Sequence, residues 1–189
     1  MPRKLVVAQY MSLDGVIEDP VGMEDSGLGN WVGPFSRGPE GDRFKHEELM
    51  AAEMLLLGRR TYDAFAPVWP QITDETGFAD RINTMPKLVA SATLQDGPWQ
   101  STRIVRGDIA GEVSRLRQGE GGDILVYGSR KLVQHLSARG LVDEYNLMVY
   151  PVALGRGGKL FDGGQVDLAL LEARPFGSGI MLLRYAVRR

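Results

Sequence analysis

Cysteine is absent from the 189-residue sequence. That excludes disulfides, a thiolate nucleophile and cysteine-ligated metals, and it suits a reducing cytoplasm. Histidine is scarce too: only His46 and His135 occur, both within helical patterns, and no metal-ligand spacing is present. Neither sign of charge is in excess, because 22 basic against 24 acidic side chains leave a net charge of -2. A sequence-wide cationic field for nucleic acid or anionic lipid is therefore missing. Long apolar runs are lacking as well. The one in "MPRKLVVAQY" is too short for a secretory core or a membrane span, so a soluble cytoplasmic protein with no membrane or nucleic-acid partner is expected.

What is present is an ordinary globular composition, 43% apolar and 24% charged, which argues against disorder. The length fits one domain over residues 1–189. "KLVVAQY", "MLLLG", "KLVAS", "RIV" and "DILVYG" read as short strands. Between them "GDRFKHEELMAAE", "DETGFADRINTM", "DIAGEVSRLRQ" and "SRKLVQHLSARG" have helical spacing. Continuous apolar strands alternating with helices indicate an α/β fold with a parallel sheet covered on both faces. The tail differs. "VDEYNLMVYPVAL", "VDLALLEARPF" and "GIMLLRYAVRR" are strand-like with no helix between them, so antiparallel strands are expected to finish one edge. "GRGG" at 155–158 precedes no helix and reads as a hairpin connection, and the Gly/Pro-rich stretch 18–41 reads as a mobile loop.

Ligands of open α/β sheets bind beyond the carboxyl ends of the strands. Two such ends stand out. In "LLLGRRTYDAF" an apolar run stops at Gly58 and passes into Arg59, Arg60 and Thr61, a close backbone approach followed by helix amides and cations suited to an anion. "ILVYGSRKLVQHL" repeats the device at Gly128, Ser129, Arg130 and Lys131. Either corner alone is a common turn; the pair suggests a dinucleotide. Neither is a G-x-G-x-x-G or a P-loop. Asp14, in the turn "SLDGVI", either caps its own turn or meets substrate. The adjacent acids Glu47 and Glu48, and Asp143 and Glu144, diverge on their elements and do not form a general acid/base dyad.

Taken in order, "VVAQYMSLDGVIEDP", "LLLGRRTYDAFAPVWP", "KLVAS", "DILVYGSRKLVQHL" and "GLVDEYNLMVYPVALGRGGKLF" resemble the dihydrofolate-reductase-like family that includes the reductase domain of bacterial riboflavin biosynthesis. The resemblance spans nearly the whole chain and is to members that stand alone, without a deaminase domain. It implies a dihydrofolate reductase-like three-layer α/β/α fold, an NADPH site along the strand ends, a small-molecule substrate and often a homodimer. By the same resemblance, Gly58, Arg59, Arg60 and Thr61 would hold the pyrophosphate and the 2'-phosphate. Ser91 would lie near the adenosine. Gly128, Ser129, Arg130, Lys131 and Leu132 would cradle the pyrophosphate and nicotinamide half. Ala8 would face the nicotinamide amide, and Asp14 to Ile17, including Gly15, would close over the ring. Arginine at this corner favours NADP over NAD.

Two departures stand beside the likeness. The second corner is Gly-Ser where Gly-Gly is often found. Asp42 lies where the family's pterin-binding acid would lie, but its surroundings "RFKHEEL" match poorly, and it serves equally as an N-cap for a helix starting near Arg43. Hydride transfer needs no side-chain nucleophile. If a proton is required, water or Asp14 is the first candidate. Trp31, Phe35, Tyr62 and Trp69 are candidates for the walls of a flat substrate pocket, with ordinary packing as the competing role. The expectation is an NADPH-dependent reductase acting on a small C=N or C=O substrate. The alternatives are a true folate or riboflavin-pathway reductase, a nucleotide-binding module without turnover, or a purely structural dimeric domain.

Overall fold

A strand covered by helices on both sides must be apolar at consecutive positions, not alternate ones. β1 (Leu5–Ser12) and β2 (Ala52–Gly58) meet this condition, with Leu5, Val7, Leu55, Leu56 and Leu57 fully buried. In the computed structural model, which describes residues 2–189, they lie within one eight-stranded sheet. Its other strands are β3 (Lys87–Ala90), β4 (Thr102–Val105), β5 (Asp123–Tyr127), β6 (Glu144–Tyr150), β7 (Leu168–Pro175) and β8 (Met181–Val187). The spatial order is β4-β3-β2-β5-β1-β6-β8-β7. β1 to β6 pair in parallel, β8 runs antiparallel to β6, and β7 runs antiparallel to β8.

Helices α1 (Gly38–Ala51), α2 (Arg59–Phe65) and α3 (Phe78–Thr84) cover one face through Leu49, Tyr62 and Ile82. Helices α4 (Ile109–Gln118) and α5 (Arg130–Ser137) cover the other through Val113, Leu132, Val133 and Leu136. The result is the expected three-layer α/β/α fold. A third apolar cluster seals the β6–β8 end, where Trp31, Phe35 and Tyr10 each set an aromatic edge against Tyr150.

Several local expectations change. The helix pattern beginning at Asp74 yields a helix only from Phe78, because the Asp74 carboxylate accepts from the amides of Thr76, Phe78 and Ala79 and holds the entry turn open. β6, the first of the tail strands, joins the sheet parallel to β1; only β7 and β8 are antiparallel. The 155–158 segment is not a hairpin connection, since β8 lies between β6 and β7. Instead it folds back on the turn after β1. Ile17 N donates to Gly158 O at 3.0 Å, Leu160 N to Gly15 O at 3.0 Å, and Gly158 N to a Glu18 carboxylate oxygen at 2.8 Å. The stretch 18–41 is fastened as well. Asp19 accepts from the amides of Glu24 and Ser26 and from the Ser26 hydroxyl, and the Trp31 indole donates to Glu18 O at 3.0 Å.

Candidate active site

The two glycine corners end strands β2 and β5, which are direct neighbours, so residues seventy positions apart in sequence meet. They are cross-braced. Gly58 N donates to Ser129 Oγ at 2.8 Å, and Ser129 N donates to Thr61 Oγ1 at 2.9 Å. Gly128 has a φ of +51°, and a Cβ there would stand 2.8 Å from Thr61 Oγ1, so both conformation and space call for glycine. Ser129 also takes a left-handed conformation, with φ 57°, and its hydroxyl returns to Tyr127 O at 2.9 Å. The second position of the expected Gly-Gly pair is thus a serine that adopts the glycine-like turn and uses its hydroxyl to tie the corners together.

Charge gathers around this brace, and some of it is already used. Arg60 pairs with Glu18 at 2.8 Å and Glu24 at 3.1 Å. Arg59 pairs with Asp63 one turn along α2, and its Nη1 also donates to Thr93 Oγ1 at 3.3 Å. Thr93 belongs to the turn held by Ser91, whose hydroxyl accepts from the amides of Thr93 and Leu94. Arg59 and Ser91 therefore flank one spot. Arg130 lies against Gly158 so closely that a Cβ on that glycine would meet its guanidinium at 2.3 Å. Arg130 and Lys131 have no ion-pair partner among the described residues, and no side chain caps the start of α5. An uncapped helix start with two unpaired cations beside a glycine backbone suits a phosphate group.

Next to the corners opens a cleft of about 970 Å³. Ala8, Gln9 and Tyr10 of β1, Tyr127 of β5 and Gly128 just after it form its floor, and Gln9 Nε2 donates to Gly128 O at 2.8 Å. Met23, Val32, Phe65 and Trp69 supply apolar walls. Polar groups enter from α1. Lys45, only 9% exposed, forms an ion pair with Glu48 and lies over the Tyr127 ring, with Nζ 4.4 Å from the centroid. Glu48 also accepts from Asn146 Nδ2 at 2.8 Å and from the Tyr127 hydroxyl at 3.4 Å. Burial, partly offset by Glu48, holds Lys45 below the ordinary lysine value. Burial raises the hydroxyl pKa values of Tyr10 and Tyr127.

Residues 3–182 match the RibD C-terminal domain family. The chain belongs to that family. It is also similar to two uncharacterized Bacillus subtilis (strain 168) proteins. YyaP is 28% identical over 97% of this chain and 94% of its own length, and YwjB is 26% identical over 96% and 97%. A crystal structure of a Shewanella sp. PV-4 protein ascribed to riboflavin biosynthesis superposes over the full length of both chains, with a TM-score of 0.76 at 20% identity, and shares the fold. This RibD C-terminal domain is accordingly a reductase-like domain.

Of the residues singled out in the sequence, Gly58, Thr61, Gly128 and Ser129 come together at the brace, and Ala8 lies beside them, paired with Tyr127. Lys131 and Leu132 begin α5 just beyond it. Gly15 and Ile17 are bound to the 158–160 segment. Asp14 is corrected. Its carboxylate accepts from Ser12 Oγ at 2.6 Å, Leu154 N at 3.1 Å and Gly155 N at 2.8 Å, and these bonds hold its pKa at about 2. It fastens two loops outside the cleft and has no proton to give near neutral pH. Trp31 packs in the third apolar cluster and Tyr62 is buried against Trp99, whose amide donates to its hydroxyl, so neither walls the cleft. Asp42 does line it, but in an ion pair with Arg37 at 2.8 Å, and the helix it was to cap starts earlier, at Gly38. Lys45, Tyr10 and Tyr127 escaped the sequence reading, and Glu48 entered it only as half of a diverging pair with Glu47. One signal existed: Gly41, Lys45 and Leu49 share the buried face of α1, so a lysine occupies an apolar stripe.

An NADPH molecule is compatible with these residues on two local observations. The backbone at Gly128 has no room for a larger side chain without disturbing the brace, and unpaired Arg130 and Lys131 stand at an uncapped helix start. Glu18 and Glu24 are the opposing feature, since they already neutralise Arg60.

Proposed function

We propose that the protein is an NADPH-dependent reductase of a small C=N or C=O compound. The observation that carries this reading is the cross-braced pair of glycine corners opening directly onto the 970 Å³ cleft. Gly58, Thr61, Gly128 and Ser129 would shape the backbone against the cofactor, Arg130 and Lys131 would meet its pyrophosphate, and Arg59 with Ser91 would meet the 2'-phosphate. When bound, the cofactor supplies a hydride and the protein supplies position. Ala8 and Gly128 form the part of the floor next to the corner, and a substrate seated there would lie against the apolar walls. Asp42 is tied to Arg37 through one carboxylate oxygen only.

The test is a titration with NADPH and, separately, NADH, followed by nucleotide fluorescence, and then a screen of cyclic imines and aldehydes for loss of reduced-nicotinamide absorbance. Tight NADPH binding, weakened in Arg59→Ala and followed by oxidation with at least one acceptor, is expected. Binding without oxidation by any acceptor would leave a nucleotide-binding module. Binding of neither nucleotide would refute the reading.

A further inference from the structure

Helix α1 separates two cavities. On one side lies the cleft, with Lys45 in its lining; on the other lies a smaller cavity of about 260 Å³ lined by Glu48, Asn146, Asp123, Glu144 and Arg184. The Lys45–Glu48 ion pair is the link between them, one partner facing each cavity. Among the described residues Glu48 is the only hydrogen-bond partner of the Lys45 ammonium, so two of its three N–H groups have no protein acceptor. A buried cation with unfilled donors in the wall of a ligand-sized cleft calls for an acceptor from a ligand.

We propose that Lys45 delivers the proton that completes reduction of the substrate, and that Glu48 reloads it from the polar cavity behind α1. This rests on the reductase reading. Hydride addition to the carbon of a C=N or C=O bond breaks the π bond and leaves that electron pair on nitrogen or oxygen. The heteroatom takes H⁺ from Nζ and leaves a neutral amine. The Glu48 carboxylate takes up a proton from solvent in the smaller cavity and passes it to that amine, which restores the ammonium–carboxylate pair, so each turnover consumes one hydride and one solvent proton.

The surroundings fit a group that must exchange its proton. Burial and the nearby Arg37 favour the neutral amine, while Glu48 favours the ammonium. The other groups facing Lys45 are Tyr10, with its ring centroid 5.6 Å from Nζ, and Tyr127, and burial makes both hydroxyls weaker acids. His46, also in the cleft lining, sits on the exposed side of α1 with Nε2 3.0 Å from Thr76 O; a carbonyl only accepts, so Nε2 carries the hydrogen and is already committed. The Glu48 oxygens are held in place by Asn146 and Tyr127, which makes Glu48 a positioning and relay residue.

The experiment begins without cofactor. The sequence has five lysines, so lysine-selective isotope labelling resolves each Nζ and side-chain carbon by NMR. Lys45 should titrate below the ordinary lysine value, and in Glu48→Gln its midpoint should fall further because only burial and Arg37 remain. A Lys45 midpoint at or above the ordinary lysine value would overturn the proposal. NADPH titration of the same proteins separates the two readings: a wild type that binds no NADPH sinks the reductase assignment, whatever the lysine does. With an acceptor from the imine and aldehyde screen, Lys45→Met should lose about 10²–10⁴-fold in kcat. Lys45→Arg, which keeps the charge but holds its proton, should lose nearly as much. The basic limb of the kcat profile should move to lower pH in Glu48→Gln, a shift that a packing role would not produce. A Lys45→Met kcat within about threefold of wild type would refute the donor role.

Discussion

Replacing Thr61 with valine keeps the shape of a side chain that is 2% exposed and removes one oxygen. That oxygen accepts from Ser129 N at 2.9 Å, and Ser129 in turn holds Gly58 N through its own hydroxyl. Valine leaves the Ser129 amide without its partner inside the brace, at a cost of about 1–3 kcal/mol. For a chain of this size each kcal/mol lowers Tm by about 2–4 °C, so a central cost of about 2 kcal/mol predicts a fall of about 4–8 °C. Thr61→Ser keeps the acceptor and loses one methyl group, worth about 0.8 kcal/mol, and should melt closer to wild type. Thermal unfolding followed by circular dichroism measures both. Because the prediction concerns the apo protein, it does not depend on the cofactor assignment. A Thr61→Val melting temperature within about 1 °C of wild type would mean that the amide finds another acceptor and that the corners are not braced by this bond.

Glu24→Gln should tighten NADPH binding severalfold in the fluorescence titration, because the carboxylate that pairs with Arg60 at 3.1 Å competes with an incoming phosphate; weaker binding would contradict this. Lys87→Met should lower the urea midpoint by an amount equivalent to about 3 kcal/mol, since the buried Nζ donates to the carbonyls of Asn83, Met85 and Gln100 and all three would lose their donor; an unchanged midpoint would contradict it. Asp14 has a folded pKa of about 2 against an ordinary 3.8, so its contribution is fully present above 3.8 and is lost as the pH falls towards about 2. Limited proteolysis with an acid-active protease should therefore begin to cut the 153–158 segment in that window, and Asp14→Asn should be cut at higher pH; equal cutting of both proteins would contradict the latch.

Much of the fold could be read from local patterns. Leu55, Leu56 and Leu57 are consecutive and apolar because their strand is covered on both faces, a condition a sequence displays directly. The glycine corners were readable for the same reason: Gly58 and Gly128 each end an apolar run and precede a helix, and that is all local information. Trp69 does wall the cleft, but two of the other aromatic residues were misleading. Trp31 and Tyr62 have the composition of pocket walls, yet Trp31 closes the β6–β8 end and Tyr62 fills the core under α2. The burial of an aromatic ring depends on what the sheet places opposite it, which its neighbours in sequence do not reveal.

The sequence by itself determined the alternation of strands and helices, the two anion-ready strand ends and the absence of thiol or cysteine-metal chemistry, because each follows from residue type and short-range order. Tertiary structure alone decided that the two ends are one site. It brought β2 beside β5 so that Ser129 and Thr61 could exchange hydrogen bonds, turned the 155–158 segment back onto the turn after β1, and engaged Arg60 with two glutamates. It also set the Lys45–Glu48 pair between two cavities, since Lys45 lies over Tyr10 of β1 and Tyr127 of β5 while Glu48 accepts from Asn146 of β6. Those contacts arise from long-range pairing of strands, and a residue's electrostatic environment is fixed only once that pairing has chosen its neighbours.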